Sequence, residues 1–467
     1  MEAAGYDIHG RYDVAVVGGG LTGLTTALLL GRAGRSVVVL EAAYIGAGTT
    51  ARSSAKLSLL QGTQLSTIRS RHPQQVVDAY VEAQREGTAW VRQFCAAHGV
   101  AVQDRPAVTY AQTASGERSL RSELEAATSA GLDVEWVDEL PLPVPVRGAI
   151  RLAGQFQLDP VELLGALRRE AEAHGVLVVE GARVRKVRGH GPIALTTELG
   201  RVEADRVVVA TNLPILDRGG YFARMQPARS YVVAFHTDLP AVDAMYLSAD
   251  QPSRSLRDAP AESGHLLLVG GNGHVTGRGG STSERLTTIR DWTHSYWPDA
   301  VETHAWSAQD YVPHHALPFV GPILPGRDDV FVAGGYSKWG MGNAPAASLA
   351  LAATLLDGTT PAWSEVLRTY ARTELRGLPT AARDNAEVGL ELTRGWLGAI
   401  AGRSLRQDGL TRVCTHLGGV VQWNDAERSW DCPLHGSRFD EGGEVLEGPA
   451  VSPLPRSTEQ LAHRDLG

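Results

Sequence analysis

Two short segments near the C-terminus, Cys414-Thr415-His416 and Cys432-Pro433-Leu434-His435, each combine one cysteine with one histidine. Fifteen residues separate His416 from Cys432, and a glycine-bearing turn follows each segment. Thiolates and imidazoles are metal ligands, so this spacing indicates a metal centre. Two kinds of centre use this set: a tetrahedral zinc ion, and a [2Fe–2S] cluster with cysteines on one iron and histidines on the other.

The residues around the two histidines favour the cluster over zinc. The Cys-x-His arm is short, and His416-Leu417-Gly418 and His435-Gly436-Ser437 resemble the ligand loops of Rieske proteins. We therefore predict a Rieske [2Fe–2S] cluster whose ligands are Cys414, His416, Cys432 and His435. Such a centre carries one electron at a time, so the protein needs an electron donor and an electron acceptor.

The module departs from high-potential respiratory Rieske proteins, which it otherwise resembles. Those proteins carry an extra cysteine in each loop, joined as a disulfide, where this chain has Gly419 and Leu434. Ser437 is retained and can donate a hydrogen bond to a cluster sulfur, but Phe439 replaces a tyrosine. Because hydrogen bonds to sulfur raise the reduction potential, we expect a value below the top of the Rieske range of about −150 to +300 mV.

The N-terminal residues predict a nucleotide-binding unit. Asp13–Val17 has the composition of a strand, Gly18-x-Gly20-x-x-Gly23 forms a turn, and Thr25–Arg32 has helical spacing. A second strand, Ser36–Leu40, ends at Glu41. The glycines allow the backbone to approach a pyrophosphate at the helix N-terminus, and the acid can accept hydrogen bonds from a ribose. The segment is therefore predicted to bind a dinucleotide.

Composition limits the remaining possibilities. The chain has 467 residues, enough for two or three domains, and a net charge of −8, which gives no footprint for nucleic acid. No apolar run reaches the length of a membrane span. Two of the three cysteines belong to the predicted cluster, which leaves Cys95 unpaired, so we expect a reducing, cytoplasmic location.

The first 370 residues resemble FAD-dependent oxidoreductases of the D-amino-acid oxidase and glycine oxidase superfamily. The glycine motif carries this resemblance together with Glu41, Gly46–Thr50, Val209–Asn212 and Gly334–Gly342. The whole chain resembles a bacterial subfamily in which a Rieske domain follows the flavin domain. The motifs that carry this second resemblance are Thr49–Leu57, Trp306–Tyr311, Lys338–Met341 and Trp430–Pro433.

The resemblance implies an α/β fold. A doubly wound, Rossmann-type FAD-binding domain would contain an inserted antiparallel substrate domain, and a small all-β Rieske domain would follow. The expected FAD-binding segments are residues 1–104, 148–225 and 321–372, and the substrate-domain segments are 105–147 and 226–320. A helical linker at 373–395 would lead to a Rieske domain at 396–467, shortened because little more than one hairpin fits between Gly395 and Cys414.

The same resemblance assigns residues to the cofactor. The residues expected to bind FAD are Gly18, Gly20, Leu21, Thr22, Gly23, Glu41, Gly48, Thr49, Thr50, Ser54, Lys56, Val184, Ala210, Thr211, Gly334, Gly340 and Met341. The candidate catalytic residues are Tyr336, Lys338, Trp339 and His315. Arg229 or Arg52 is a candidate partner for a substrate carboxylate.

The leading functional hypothesis is oxidation of a small amine or amino-acid-like substrate at a C–N bond, because superfamily members typically do this. Electrons would pass through FAD and the cluster to a protein or quinone acceptor. One alternative is an electron-transfer protein that supplies a partner enzyme, although a second fingerprint for NAD(P)H is missing. Another is an oxidase that uses oxygen, with a structural or redox-sensing cluster. A Rieske oxygenase is not expected, because no mononuclear-iron triad is found.

Overall fold

The computed structural model describes residues 8–262, 264–401, 405–407 and 409–456. The strands are β1 Ile8–Val17, β2 Val37–Leu40, β3 Lys56–Leu57, β4 Val102–Asp104, β5 Ala107–Ala111, β6 Val134–Val137, β7 Gly148–Leu152, β8 Phe156–Leu158, β9 Leu177–Val179, β10 Lys186–Arg188, β11 Ile193–Thr197, β12 Gly200–Val209, β13 Met225–His236, β14 Met245–Ser248, β15 Arg254–Pro260, β16 His265–Val275, β17 Val301–Pro313, β18 Phe319–Pro322, β19 Val330–Gly334, β20 Arg406–Gln407, β21 Leu410–Thr411, β22 Gln422–Asn424, β23 Ser429–Asp431, β24 Arg438–Phe439 and β25 Val445–Glu447.

The α-helices are α1 Leu21–Arg32, α2 Gln64–Arg69, α3 Gln74–His98, α4 Ala114–Ser129, α5 Pro160–Ala173, α6 Thr282–Tyr296, α7 Gly340–Leu355 and α8 Leu378–Ile400. Short 3₁₀ helices occupy Tyr221–Ala223, Ala362–Val366 and Arg372–Gly377. No helix in the described part of the chain is long and apolar enough to cross a membrane.

The first sheet has a parallel centre. Its order is β10-β11-β12-β1-β2-β9, with β19 paired to β12 and β18 paired to β19. The last four residues of β1 and all of β2 are buried, as expected for parallel strands covered on both faces. Helices α1 and α7 pack on each other, and their apolar residues share one core with those of α3 and α5.

The second sheet is largely antiparallel, in the order β17-β13-β16-β15-β14-β5-β7-β6. Its long strands β13 and β17 pair over nearly their whole length, which puts Arg229 beside Gln309 and Pro227 beside Tyr311. Strand β7 belongs to this sheet, although residue 148 is predicted to begin a nucleotide-binding segment. The reason is that β7 pairs with β5 and β6.

The C-terminal part is a small β domain. Strands β22-β23-β24-β25 form one antiparallel sheet, and β20 and β21 form a separate pair. Trp430 and Phe439 are buried at the centre of its core, which Val388 and Leu392 of α8 also contact. The predicted fold class, a doubly wound α/β unit with an antiparallel sheet and a small β-rich domain, is confirmed.

Candidate FAD cavity and cluster site

One cavity of about 530 Å³ opens at the carboxyl ends of β1 and β2 and extends under the second sheet. All but two of the residues expected to bind FAD line it: Gly18, Gly20, Leu21, Thr22, Glu41, Gly48, Thr49, Thr50, Ser54, Lys56, Val184, Ala210, Thr211, Gly340 and Met341. The two others pack behind the wall. A Cβ atom on Gly23 would lie 1.9 Å from the Gly18 carbonyl oxygen, and one on Gly334 would lie 1.8 Å from that of Asn212.

The glycine-rich turn has the geometry that a pyrophosphate requires. Gly18 has a φ of 108°. Helix α1 begins at Leu21, and its N-cap residue, Gly20, has no side chain that could cap the helix. The Glu41 carboxylate accepts hydrogen bonds from the backbone N–H groups of Gly19 at 2.7 Å and Ala43 at 2.9 Å. Each oxygen retains a lone pair, so Glu41 can also accept a ribose hydroxyl. The residues present therefore fit FAD.

Lys56 lies in the part of the cavity under the second sheet. Its Nζ atom donates to the Tyr246 carbonyl oxygen at 2.8 Å and to Ser255 Oγ at 2.6 Å. Burial, and to a smaller extent the neighbouring Arg257 guanidinium, lower the pKa of Lys56 to about 7. A neutral amine that uses both N–H groups in this way keeps a lone pair for another partner.

Lys338 enters the cavity from a constrained loop. Ser337 and Lys338 have φ values of 52° and 73°, a left-handed conformation that side chains rarely adopt. The buried Asp310 carboxylate holds this loop by accepting hydrogen bonds from the Lys338 N–H and from Asn212 Nδ2. The Lys338 amine lies against Gly273, where a Cβ atom would be 2.7 Å from Nζ. Burial lowers its pKa, and Asp310 opposes that shift.

Of the other three candidate catalytic residues, two line the cavity and one does not. Tyr336 and Trp339 line the cavity. The Tyr336 hydroxyl is hydrogen-bonded to Thr22 Oγ1 at 2.9 Å, and burial raises its pKa. His315 does not line the cavity; its ring packs against Phe319, and burial lowers its pKa to about 3. An imidazole of such low basicity that lies outside the cavity does not suit the role of a base, which rules against His315.

The predicted cluster ligands converge from two turns of similar shape. Backbone N–H groups of Cys414 and Cys432 donate to the Gly419 and Ser437 carbonyl oxygens, each at 2.8 Å. The two thiols are hydrogen-bonded to each other, and the His416 and His435 ring centroids lie 5.2 Å apart. The cysteines therefore form one pair and the histidines another, as in a Rieske centre.

Three features of this site fit a cluster. His435 Nδ1 is buried and has no hydrogen-bond partner in the described part of the chain, and the Asp217 carboxylate is hydrogen-bonded to His416 Nε2 at 2.7 Å. Ser437 is hydrogen-bonded to the Cys414 thiol. A Cβ atom on Gly419 would lie 2.9 Å from Cys432 Sγ, which leaves no room for a cysteine there. Among the described residues, no group of three or more His, Cys, Asp or Glu side chains is arranged for a single metal ion.

The cluster loops dock on the rest of the molecule. The Phe222 ring packs edge-to-face on both histidines, with centroids 5.3 Å from His416 and 4.9 Å from His435. Gln309 Nε2 donates to the Gly436 carbonyl oxygen at 2.8 Å, and Arg278 Nε donates to that of Pro433, also at 2.8 Å. The histidine side of the cluster site therefore faces the flavin-binding part of the chain.

A buried ion network joins the cluster domain to the second sheet. Arg229 is fully buried, and its guanidinium pairs with Glu427 at 2.7 Å and Glu447 at 3.2 Å. Arg438 pairs with the same two carboxylates and with Asp431. Since cluster-domain carboxylates occupy Arg229, it is not free to bind a substrate carboxylate. The sequence offered no signal for this pairing, which joins positions far apart in the chain.

Residues that the sequence interpretation did not assign to the site complete the cavity wall. Gln309 and Tyr311 line the cavity; they belong to the Trp306–Tyr311 motif, which supports the family resemblance but predicts no role for them. Four further lining residues come from the predicted Rieske module: Leu446, Glu447, Gly448 and Val451. The segment Leu446-Glu447-Gly448 carries no motif that would have identified it.

Known proteins agree with this architecture. Residues 13–354 match the family described as FAD dependent oxidoreductase, and residues 407–458 match the Rieske [2Fe-2S] domain. The chain is similar to YhfW of Bacillus subtilis (strain 168), named as a Rieske 2Fe-2S iron-sulfur protein. The two are 32% identical over 475 residues, which cover 95% of this chain and 92% of the relative.

Solved structures support the same fold. Glycine oxidase from Geobacillus kaustophilus matches 75% of this chain and 96% of its own, with a TM-score of 0.64 and 20% identity. L-Proline dehydrogenase from P. horikoshii matches 77% and 97%, with a TM-score of 0.65 and 18% identity. The fold and its two sites thus define a flavoprotein oxidoreductase with an iron–sulfur domain. The chain belongs to the FAD dependent oxidoreductase family, and its cofactors are FAD and a Rieske [2Fe–2S] cluster, as predicted.

Proposed function

We propose that the protein oxidises a small amino-acid-like amine at a C–N bond and that the electrons leave through the Rieske cluster to an external acceptor. When bound, FAD can accept a hydride and release two electrons singly, and the cluster can hold one of them. The glycine oxidase and L-proline dehydrogenase of the same fold are named for amino-acid substrates, which supports this substrate class.

The observation that carries the electron-transfer part is a direct contact between the two sites. Tyr311 lines the FAD cavity, and its hydroxyl donates toward the Gly448 carbonyl oxygen at 3.2 Å and the His435 carbonyl oxygen at 3.5 Å. Gln309 lines the same cavity and bonds to Gly436. One layer of side chains thus separates the cavity from the loop that carries the ligand His435. The second alternative role, a structural cluster, gives no reason for such a contact.

Lys56 suits the role of the base that accepts the proton of a substrate ammonium. With a pKa of about 7, a large fraction of the amine is neutral near neutral pH. The Tyr246 carbonyl oxygen and the Ser255 hydroxyl fix Nζ in place. The lone pair that remains can hold a proton at that atom.

Lys338 suits the role of the cation that binds a substrate carboxylate. Its amine is in the cavity, and Asp310 engages the backbone of the loop while it also favours the charged amine. Arg52 lines the cavity too, but it faces Glu427. A cation in the same cavity as a base favours an amino-acid-like substrate over a simple amine.

Anaerobic mixing of the protein with matched pairs of substrates tests the proposal. Glycine, sarcosine, L-proline and D-alanine would be compared with amines of the same size that lack the carboxylate. We expect an amino acid to bleach the flavin absorption band, and the EPR signal of the reduced cluster to follow. Failure of every amine, amino acid and secondary alcohol to bleach the flavin would contradict the assignment.

The order of reduction separates the alternatives. Rapid reduction of the flavin by NADH or NADPH would favour an electron-transfer protein that supplies a partner enzyme. Flavin bleaching with a cluster that stays oxidised, followed by reoxidation by oxygen, would favour an oxidase. Either result would contradict the proposed electron route.

A further inference from the structure

The segment Val445–Val451 of the cluster domain, here called the closing segment, lies along the FAD cavity. Its residues Leu446, Glu447, Gly448 and Val451 form part of the cavity wall. They lie beside the loop that follows β12 of the first sheet, where Ile215 lines the same cavity. A Cβ atom on Gly448 would be 3.3 Å from Ile215 Cγ2, so the two segments are in close contact.

Side chains outside the cluster domain anchor this segment by its backbone. Arg183 Nη2 donates to the Val445 carbonyl oxygen at 2.8 Å, and Arg185 donates to that of Val451. The Tyr311 hydroxyl donates to the Gly448 carbonyl oxygen at 3.2 Å. These anchors act on the beginning, middle and end of the segment, so they fix its path whatever side chains it carries.

The closing segment also contacts the cluster site. The Ala450 N–H donates to Ser437 Oγ at 3.0 Å, and Ser437 is hydrogen-bonded to the Cys414 thiol. Glu447 pairs with Arg229 of the second sheet and with Arg438 beside the cluster loop. One short segment therefore has the cluster site on one side and the FAD cavity on the other.

We propose that the closing segment is a part of the FAD-binding site, so that FAD stays bound only while the cluster domain is docked. A ligand that contacts two packed domains stabilises their docking by the same free energy that docking adds to its own binding. Loss of the docked state then opens the cavity wall at Leu446–Gly448 and speeds FAD release. No substrate takes part in this coupling, so it holds whether or not the proposed reaction is correct.

Hydrogen–deuterium exchange on the full-length protein tests one direction of the coupling. FAD would be removed from the cluster-loaded protein and then restored. We expect amide exchange in the closing segment to rise at least several-fold without FAD and to return when FAD is added. Exchange in α4, which packs on α2 and β5, serves as the internal control. Unchanged exchange in the closing segment would overturn the proposal.

The variant Arg185→Ala tests the other direction, because Arg185 anchors Val451 and does not line the cavity. Its matched control is Arg201→Ala in β12, an exposed arginine that pairs with Glu203 and, among the described residues, has no contact with the closing segment. Loss of a charged hydrogen bond predicts about a tenfold higher FAD dissociation constant for Arg185→Ala and no change for Arg201→Ala. Flavin fluorescence on dilution measures both.

A second variant keeps the test decisive if Arg185→Ala leaves the segment in place. Arg185→Ala combined with Arg229→Met removes the anchor at Val451 and the pairing of Glu447 with the second sheet, at two residues that do not line the cavity. Hydrogen–deuterium exchange reports whether the segment is released. Faster FAD release together with a released segment supports the proposal. A released segment in a protein that binds FAD within twofold of wild type would overturn it.

Discussion

The two cofactor sites are built in opposite ways. Every predicted cluster ligand lies between Cys414 and His435, on two turns at the edge of one small sheet. The FAD cavity instead collects residues from the first strand to the cluster domain, from Val17 to Val451. A site made of local turns is determined by local sequence, whereas a site made of distant segments depends on how whole sheets and domains pack.

The largest expected effect concerns the local site. Cys432→Ser removes a thiolate that the neighbouring residues cannot replace, so we expect complete loss of the cluster. Iron analysis and EPR spectroscopy measure this. Cys95→Ala is the matched control, because Cys95 is buried in α3 and should leave the cluster signal intact. A full Rieske signal from Cys432→Ser would contradict the ligand assignment.

Lys56→Met tests the FAD cavity, the site that is built from distant segments of the chain. Removal of a general base lowers kcat/KM by about 100- to 10,000-fold. The wild-type value should rise with pH through about 7, because the neutral amine that accepts a proton predominates above the pKa of Lys56. The variant should lose this rise. Lys186→Met, on the exposed surface of β10, is the control. An unchanged pH profile in Lys56→Met would exclude this base.

Arg229→Met tests the ion network that joins the cluster domain to the second sheet. The change leaves the largely buried carboxylates of Glu427 and Glu447 with one partner fewer, which costs about 3 kcal/mol of folding free energy. Denaturant unfolding measures it, and Arg201→Met, in an exposed pair, should change by less than about 0.5 kcal/mol. Equal stability of both variants would mean that the network does not hold the domains together.

The same network predicts how the protein responds to acid. Burial opposes the ionisation of Glu427, but Arg229 and Arg438 outweigh it and hold its pKa below the ordinary value of 4.5. A lowered carboxyl pKa gives stability that is complete above pH 4.5 and disappears as the pH falls through the pKa of the folded state. Arg229→Met should therefore lose stability less steeply in acid than wild type, as measured by unfolding between pH 3 and about 6.

Ser437→Ala has the smallest expected effect. It removes a hydrogen bond to the Cys414 sulfur while all four ligands remain, so the reduction potential should fall and the EPR line shape should persist. A redox titration followed by EPR measures the shift. Thr415→Val is the control, because that hydroxyl donates to the Ser452 carbonyl oxygen instead. Equal potentials in both variants would show that Ser437 does not tune the cluster.

Local patterns predicted much of the molecule. The glycine turn after β1 and the acid after β2 fall at the cavity because strand, turn and helix are consecutive in the chain. Strand β10 begins at Lys186, just after Arg183 and Arg185, whose side chains donate to the distant closing segment. His315 was a natural candidate by residue type, but folding buried it against Phe319 outside the cavity.

The sequence by itself determined the chemistry at each site: which side chains can ligate iron, and where glycine lets a phosphate approach. These properties depend on residue type and on neighbours within one turn. Only the tertiary structure decided which groups meet. Tyr311 contacts the cluster loop, Arg229 pairs with Glu427, and Arg185 anchors the closing segment beside the FAD cavity. In each case the two partners are more than 100 residues apart in the sequence. Such pairings follow from the docking of one domain on another, which no local pattern encodes.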